Sequence, residues 1–293
     1  MNPDPGFPIP DPPTPTPWFF ASDLHGSPGR YRALFDAILR ERPAAVLLGG
    51  DLLPHALRPD DFVAEVVAPG FRGLRRTLGE AYPRVGLILG NDDPRSEEPR
   101  LVAGEVEGLW SYLHLRRVEW GGFAVYGYAS VPPTPFRLKD WERYDVSCFV
   151  DPGCTPPEEG WHSVPFDERE LRTTTIAQEL DGLLGDHDQA HAIWLFHAPP
   201  YRTALDRAAL DGQMVDHAPV DVHVGSIAVD RAIRARQPRM TLHGHVHESA
   251  RLTGAWRVTI GQTVSVTAAH DGDELALVRF HPADPSGVTR ELL

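Results

Sequence analysis

The stretch "RMTLHGHVHES", residues 239–249, joins a short apolar run to a glycine and two histidines that are separated by one residue. The run is predicted to be a strand of a covered sheet, as one of five short and largely apolar runs in the chain. Gly244 allows the chain to turn sharply where that strand ends. Residues two apart in an extended segment point to the same side, so His245 and His247 can act together. The stretch therefore predicts a strand that delivers two imidazoles to one place.

Four other apolar runs end in the same way, at residues 18–22, 44–50, 85–90 and 192–197. The metal-competent side chains that follow them are Asp23, His25, Asp51, Asn91 and His197. In open α/β sheets, ligands bind beyond the carboxyl ends of the strands, so these side chains are expected to meet. Each alone has an ordinary explanation, because an Asp after a strand usually forms a turn or caps a helix, and a lone His usually packs or is solvated.

The whole set makes a metal centre the better interpretation. With His245 and His247, the five strand ends supply imidazoles, carboxylates and one amide. This donor set suits Mn²⁺, Fe or Zn²⁺ better than Ca²⁺ or Mg²⁺. Seven ligands exceed what one ion needs and fit two ions that share a carboxylate. The sequence thus predicts a centre for two divalent metal ions.

Helical patterns separate several of these strands. Residues 28–40 place apolar side chains on one face, with Ser27 as the N-cap and Pro28 at the first helical position. Ser226 likewise caps a predicted helix that Pro238 ends. Weaker helical patterns lie at 61–79 and 168–184. The sequence also predicts a hairpin across Gly121-Gly122 and antiparallel strands at 255–261, 263–269 and 275–281.

The chain of 293 residues is predicted to be one α/β domain over residues 18–293, after a disordered, proline-rich tail at residues 1–17. Stretches near 131–167 and 200–225 are too long for simple connections, and we expect functional or disordered insertions there. Cys148 and Cys154 are expected to be free thiols, because a reducing cytosol disfavours a disulfide between them.

Composition excludes some classes of function. The net charge of −13 disfavours bulk binding to a nucleic-acid backbone, although it is compatible with a locally basic groove. The sequence contains no apolar run of about 18 residues, the length of a membrane span. The first 17 residues lack the basic region and apolar core of a signal peptide. A cytoplasmic protein with no membrane partner is predicted.

The ordered motifs D-x-H, G-D, G-N-x-D, H and G-H-x-H resemble those of the calcineurin-like metallophosphoesterases, and they extend from Asp23 to His247. The phrase "GSIAVDRAIRARQPRMTLHGHVHES" further resembles the small bacterial and archaeal predicted phosphoesterases of that superfamily. The resemblance implies a four-layer α/β/β/α sandwich with a dinuclear metal centre. Carried over by position, it implies that the first metal is held by Asp23, His25 and His247. It implies that the second is held by Asn91, His197 and His245, with Asp51 bridging both.

The resemblance also implies an enzyme, a hydrolase acting on a small phosphorylated substrate. Two cations about 3.5–4 Å apart clamp the attacking and leaving oxygens and lower the pKa of a bound water toward about 7, so that hydroxide is the nucleophile. Bridging Asp51 would keep the spacing of the two ions and partly neutralise them.

One position departs from the family pattern. Asp92 stands where the family has the His taken to protonate the leaving oxygen, a role worth about 10²–10⁴ in rate. An ordinary Asp has a pKa near 3.9, and nearby cations lower it, so Asp92 is expected to be ionised and a poor acid. Substrates with good leaving groups are therefore expected, such as an activated phosphodiester or a nucleotide-like compound. Asp93 aligns with the residue that orients the family's His, so its role is open too.

The main alternative is a phosphoesterase fold that serves as a metal-binding or protein-interaction scaffold, which the loss of predicted ligands would favour. An amidohydrolase is discounted, because its H-x-H follows the first strand, whereas the H-x-H of this chain follows the fifth of the predicted strands. Weaker candidates for second-sphere, phosphate-binding or covering roles are His243, Arg137, Lys139, Asp216, His217 and His223. Core positions are expected for Trp110, Trp120, Trp141 and Trp161.

Overall fold

The structure, a computed structural model, describes residues 16–54 and 61–293. The tail predicted at residues 1–17 lies outside the described residues except for its last two. The framework of the described residues is two six-stranded sheets and the helices that cover them.

The first sheet has the strand order β14-β13-β1-β2-β3-β4. Its strands are β1 Trp18–Ala21, β2 Ala45–Gly49, β3 Arg84–Ile88, β4 Ser111–Tyr112, β13 Ala276–His281 and β14 Asp284–Leu292. The four strands β1 to β4 are parallel, so their carboxyl ends lie at one edge. The last two strands of the chain run antiparallel and close the other side of the sheet.

The second sheet has the order β11-β12-β10-β7-β6-β5. Its strands are β5 Arg116–Trp120, β6 Phe123–Tyr128, β7 Ala192–Phe196, β10 Met240–His243, β11 Arg257–Ile260 and β12 Thr263–Thr267. The central four are parallel, and β5 and β11 are antiparallel edge strands. The predicted hairpin is confirmed as β5 and β6, with Gly121 and Gly122 at φ 58° and 84° in its turn.

The helices form the outer layers. They are α1 Pro28–Glu41, α2 Ala68–Leu78, α3 Glu98–Val106, α4 Glu168–Thr173, α5 Ile176–Leu184, α6 Ile227–Arg236 and α7 Ser249–Thr253. The N-caps predicted for α1 and α6 are confirmed, because the Ser27 hydroxyl accepts from Arg30 N–H and that of Ser226 from Val229 N–H. A capping box on Thr175 divides the stretch 168–184 into two helices instead of one.

Alternation along β7 shows how the layers pack. Ile193 and Leu195 point into a core shared with the first sheet and its helices. Trp194 and Phe196 point to the opposite face, where they pack in a second core with residues of α5 and α6. The expected α/β/β/α sandwich is confirmed.

The five predicted strands are confirmed within one or two residues at each end, and the structure shows that each pairs in parallel with a neighbour. The C-terminal prediction was incomplete, because β11 and β12 join the second sheet while β13 joins the first. Strands β4 and β14 were not predicted. The insertion at 131–167 contains one 3₁₀ turn, at 157–159. The insertion at 200–225 contains a hairpin of two short strands, β8 Met214–Val215 and β9 Ala218–Pro219. Cys148 and Cys154 are free thiols.

Candidate metal centre

The seven predicted ligands meet where the parallel strands of both sheets end. They follow β1, β2 and β3 of the first sheet and β7 and β10 of the second. Here two sheets packed face to face bring donors from opposite sides.

The first group contains four residues whose ligand atoms all lie within 4.8 Å of one another: Asp23, His25, Asp51 and His247. His25 Nε2 is 3.0 Å from His247 Nε2, which lies 3.2 Å from Asp23 Oδ1. This group could hold a metal ion.

The second group gathers around Asn91. Its side-chain oxygen lies 2.6 Å from His245 Nδ1 and 3.1 Å from His197 Nε2. Asp51 connects this group to the first, because its Oδ2 is 3.3 Å from the same nitrogen of His197. The structure thus brings together all seven side chains that the resemblance implied, with the Asp51 carboxylate between the two groups.

Four of the predicted ligands have backbone conformations that side chains rarely adopt. The φ angles are 57° at Asp23, 46° at His25, 51° at Asp51 and 75° at His245. Such left-handed residues are uncommon and concentrate at functional sites. The N–H groups of Asp23 and His25 donate to the carbonyls of Gly50 and Asp51 at 2.9 and 2.8 Å. Paired loops therefore hold the strained residues in place.

Two glycines allow the backbone to approach the carboxylates. A Cβ at Gly90 would lie 2.3 Å from Asp51 Oδ1, and one at Gly244 would lie 2.6 Å from Asp23 Oδ2. A side chain at either position would collide with a predicted ligand. The glycines seen beside the ligands in the sequence thus have a packing reason.

Asp93, whose role the sequence left open, supports the ligand loops. It is completely buried, and its carboxylate accepts the N–H groups of Leu52, Leu53 and Gly90 at 3.0, 2.8 and 2.9 Å. Its carbonyl accepts the indole N–H of Trp141 at 2.8 Å. Asp93 therefore ties the loop after β2 to the loop after β3, and a residue of the first insertion holds it from outside.

Charge is balanced inside the site. Burial raises the pKa of Asp23 and lowers that of His247, but their hydrogen bond and opposite charges prevail and leave values of about 2 and about 9. Burial likewise lowers the pKa of His197, but Asp51 raises it to about 9, and His197 in turn holds the pKa of Asp51 well below its usual range. Burial and the charge of His197 lower the pKa of His245 to about 3. Divalent cations would compete with the protons of His197 and His247 for the same ligand atoms.

The donors fit a divalent metal. Asp23 Oδ2 is buried and, among the residues that the structure describes, has no hydrogen-bond partner. A buried carboxylate oxygen without a donor is costly, and a cation beside it would satisfy it. Imidazole, carboxylate and amide donors in one cluster are also the chemistry that suits Mn²⁺, Fe or Zn²⁺.

Comparison with known families agrees with this arrangement. The family model for calcineurin-like phosphoesterases matches residues 17–249. The chain belongs to the calcineurin-like phosphoesterases. A comparison with curated proteins gave no match.

Solved structures share the fold of this calcineurin-like phosphoesterase. The protein TT1561 of Thermus thermophilus is 17% identical with a TM-score of 0.56, and the alignment covers 95% of this chain and 99% of that one. A dimetal phosphatase from Danio rerio is 15% identical with a TM-score of 0.52, over 91% of this chain and 93% of that one. At such low identity the likeness shows the fold alone.

The structure places Asp92 of this phosphoesterase beside the first group of ligands. Its side chain is 24% exposed, and one oxygen lies 3.7 Å from His25 Nδ1. The other accepts the amide N–H of Asn91 at 3.1 Å. Its backbone N–H donates to Asp51 Oδ1 at 2.8 Å.

Several weaker candidates lie elsewhere. Lys139 is wholly buried, with Nζ 2.6 Å from Glu142 Oε2, so the hypothesis that it contacts a substrate phosphate is wrong. Trp161 is 51% exposed, so its predicted core position is wrong too, whereas Trp110, Trp120 and Trp141 are buried as predicted.

The remaining candidates are not part of the ligand cluster. Asp216 and His217 form the exposed turn between β8 and β9. His223 Nδ1 lies 2.8 Å from Asp206, a buried carboxylate. His243 Nδ1 lies 3.1 and 2.9 Å from the carbonyls that flank His197, so His243 supports the backbone of a predicted ligand.

Sequence reasoning missed Arg30. Its guanidinium donates to the carbonyls of Asp23 and Gly272, which ties the loop after β1 to the loop after β12. The residue lies in the first turn of α1, directly after the D-x-H loop, and this position is the signal that could have identified it.

Proposed function

We propose that this calcineurin-like phosphoesterase is a metal-dependent hydrolase that cleaves small phosphate esters at a dinuclear centre. The observation that carries the proposal is the pair of ligand groups, built from both sheets, that share Asp51. The scaffold alternative would be favoured by missing ligands, and every position of the family's ligand set is filled.

Asp23, His25 and His247 would hold one ion, and Asn91, His197 and His245 the other, with Mn²⁺, Fe or Zn²⁺ as the metals. When bound, two divalent ions lower the pKa of water toward about 7 and stabilise the charge of the transferring phosphoryl group.

The protein's own contribution is to orient the donors. Asp51 Oδ1 accepts the N–H of Asp92 at 2.8 Å, and its Oδ2 faces His197. The shared carboxylate is therefore oriented by a backbone contact as well as by a side chain. Such preorganisation avoids the cost of arranging charged side chains during the reaction.

The substrate class follows from position 92, where a carboxylate replaces the imidazole expected for leaving-group protonation. We propose substrates that leave without a strong general acid, such as an activated phosphodiester or a nucleotide-like ester. The net charge of −13 supports a small substrate over bulk nucleic acid.

The cytoplasmic location stays a prediction from the sequence. Among residues 16–54 and 61–293, no helix has the length and apolar character to cross a bilayer.

The test is reconstitution of chelator-treated protein with Mn²⁺, Fe²⁺ or Zn²⁺, followed by metal analysis and a panel of phosphomonoesters and phosphodiesters. We expect two ions per chain and turnover that depends on them. The control is His197→Ala, which should bind fewer ions and lose activity. Two bound ions without turnover of any ester would favour the scaffold, and fewer than two ions at saturation would refute the dinuclear centre.

A further inference from the structure

The carboxylate at position 92 has a defined direction. The N–H of Asp92 donates to Asp51 Oδ1 at 2.8 Å, which holds the backbone beside the shared carboxylate. The amide of Asn91 donates to Asp92 Oδ1 at 3.1 Å. These two contacts aim the second oxygen, Oδ2, at the ring of His25, whose Nδ1 lies 3.7 Å away.

The ring of His25 is held in the complementary direction. Its Nε2 lies 3.0 Å from His247 Nε2, inside the first ligand group. Its backbone is in the left-handed region, at φ 46°, and its N–H donates to the carbonyl of Asp51 at 2.8 Å. The ring therefore turns Nε2 toward the other ligands and Nδ1 toward Asp92.

The chemistry of a histidine ligand links these two directions. An imidazole binds a cation through its unprotonated nitrogen, so binding through Nε2 requires the proton on Nδ1. Ligating histidines almost always donate that proton to a carboxylate, a carbonyl or water, which sets the tautomer and the ring orientation.

We propose that Asp92 is a positioning residue, whose carboxylate accepts the Nδ1–H of His25 and so selects the tautomer that presents Nε2 to a divalent cation. The distance of 3.7 Å exceeds an N–H···O hydrogen bond by roughly 0.5–1 Å, a gap that a small rotation of either side chain closes. The inference rests on the proposed function, because it requires His25 to be a ligand.

This assignment also explains how Asp92 can replace the family's histidine without being a proton donor. A carboxylate that accepts the Nδ1–H of His25 acts as a hydrogen-bond acceptor for a metal ligand and has no proton to donate. The leaving oxygen of a substrate then receives little help from this position, which is the origin of the proposed preference for good leaving groups.

The first experiment measures Mn²⁺ affinity by competition with a chelator, for wild type, Asp92→Asn and Asp92→Ala. Loss of an outer partner of a ligating histidine costs about 10–100-fold in metal affinity, and we expect that loss at one of the two sites. Asp216→Asn is the matched control, because it removes the same charge from the exposed β8–β9 turn. It should leave both affinities unchanged.

The second experiment reads the tautomer in wild type directly. Protein labelled with ¹⁵N-histidine and loaded with Zn²⁺ is examined by two-bond ¹H–¹⁵N correlation, and the His25 signals are assigned by their loss in His25→Gln. We expect a proton on Nδ1 with slow exchange, and faster exchange of that proton in Asp92→Asn. A residue with a purely structural role would not change this signal.

His25 bound through Nδ1, or an Asp92→Asn affinity within about twofold of wild type, would overturn the proposal. The wild-type tautomer decides the question even if a variant fails to fold. Failure of the proposed function looks different, because wild type would then bind fewer than two ions or turn over no ester.

Discussion

Asp51 joins the two groups of predicted ligands. It belongs to the cluster with Asp23, His25 and His247, and it also contacts His197 of the other group at 3.3 Å. In the proposed dinuclear centre, a change at this carboxylate would therefore affect both ions, whereas a change at any of the other six would affect one.

Asp51→Asn should release both metals and reduce activity by more than about 100-fold, the upper end of the loss seen for outer partners of metal ligands. Asp23→Asn is the matched control, because it makes the same chemical change in one group only. Metal content at fixed free Mn²⁺ should fall toward zero ions in the first variant and toward one in the second. Similar metal content in both variants would contradict the bridging assignment.

The environment of Asp92 predicts a steep dependence of rate on the leaving group. Wild type should hydrolyse aryl esters, such as p-nitrophenyl phosphates, far faster than alkyl esters. Asp92→His, at saturating Mn²⁺, should raise alkyl turnover by up to about 10²-fold and aryl turnover much less. Equal leaving-group sensitivity in the two proteins, at equal metal content, would show that position 92 does not control protonation of the leaving oxygen.

Helix α6 connects the two insertions to the centre. It follows the insertion at 200–225 and leads into β10, which carries His245 and His247 at its end. Its first turn is capped twice, by Ser226 of its own chain segment and by Asp145 of the other insertion. The element that positions the H-x-H pair thus depends on a side chain about 80 residues away.

Asp145→Asn should lower the free energy of unfolding by about 1–2 kcal/mol, because its carboxylate accepts the N–H of Ile227 at 2.6 Å and that of Ala228 at 3.2 Å. The comparison is Asp230→Asn, which removes a charge from the same first turn and breaks a pair with Arg234 but leaves both caps in place. That variant should lose less than about 0.5 kcal/mol. Urea unfolding in chelator measures both, and equal losses would show that the cap is unimportant.

The two sheets and the first insertion meet at His114. It follows β4 of the first sheet, and its Nδ1 accepts the N–H of Ala129, just beyond β6 of the second, at 3.0 Å. The rings of Trp141 and Tyr128 pack against it. Burial, with the charges of Arg143 and Arg95, lowers the pKa of His114 to about 3.

This depressed pKa makes the fold sensitive to acid. The unfolded chain takes up a proton at His114 below about pH 6.5 and the folded chain does not until about pH 3, so stability is full above 6.5 and falls as the pH drops between these values. The loss from pH 7.5 to 5 should be about 2 kcal/mol. His114→Asn keeps an acceptor for Ala129, and urea unfolding in chelator should show a pH-dependent loss smaller by that amount. The same loss in both proteins would assign it to other groups.

Local sequence determined five strands, the helix caps and which candidate side chains lie together at the strand ends. The strands could be predicted from apolar runs, and the N-caps from Ser27 and Ser226, because each feature depends on residues within a few positions in the chain. The proximity of the candidate ligands could be predicted because a parallel strand delivers whatever follows it to one edge of its sheet, so their order along the chain implied a shared location.

Contacts between distant residues settled the rest. Asp93 clamps backbone 40 residues away. The burial of Lys139 and the exposure of Trp161 depend on tertiary packing, which a local pattern does not encode. The direction of the Asp92 side chain toward His25 is likewise a tertiary feature, because the two residues lie in loops that follow different strands. Side-chain direction at such a place follows from how the sheets and loops pack, and packing exists only once the distant parts of the chain have met.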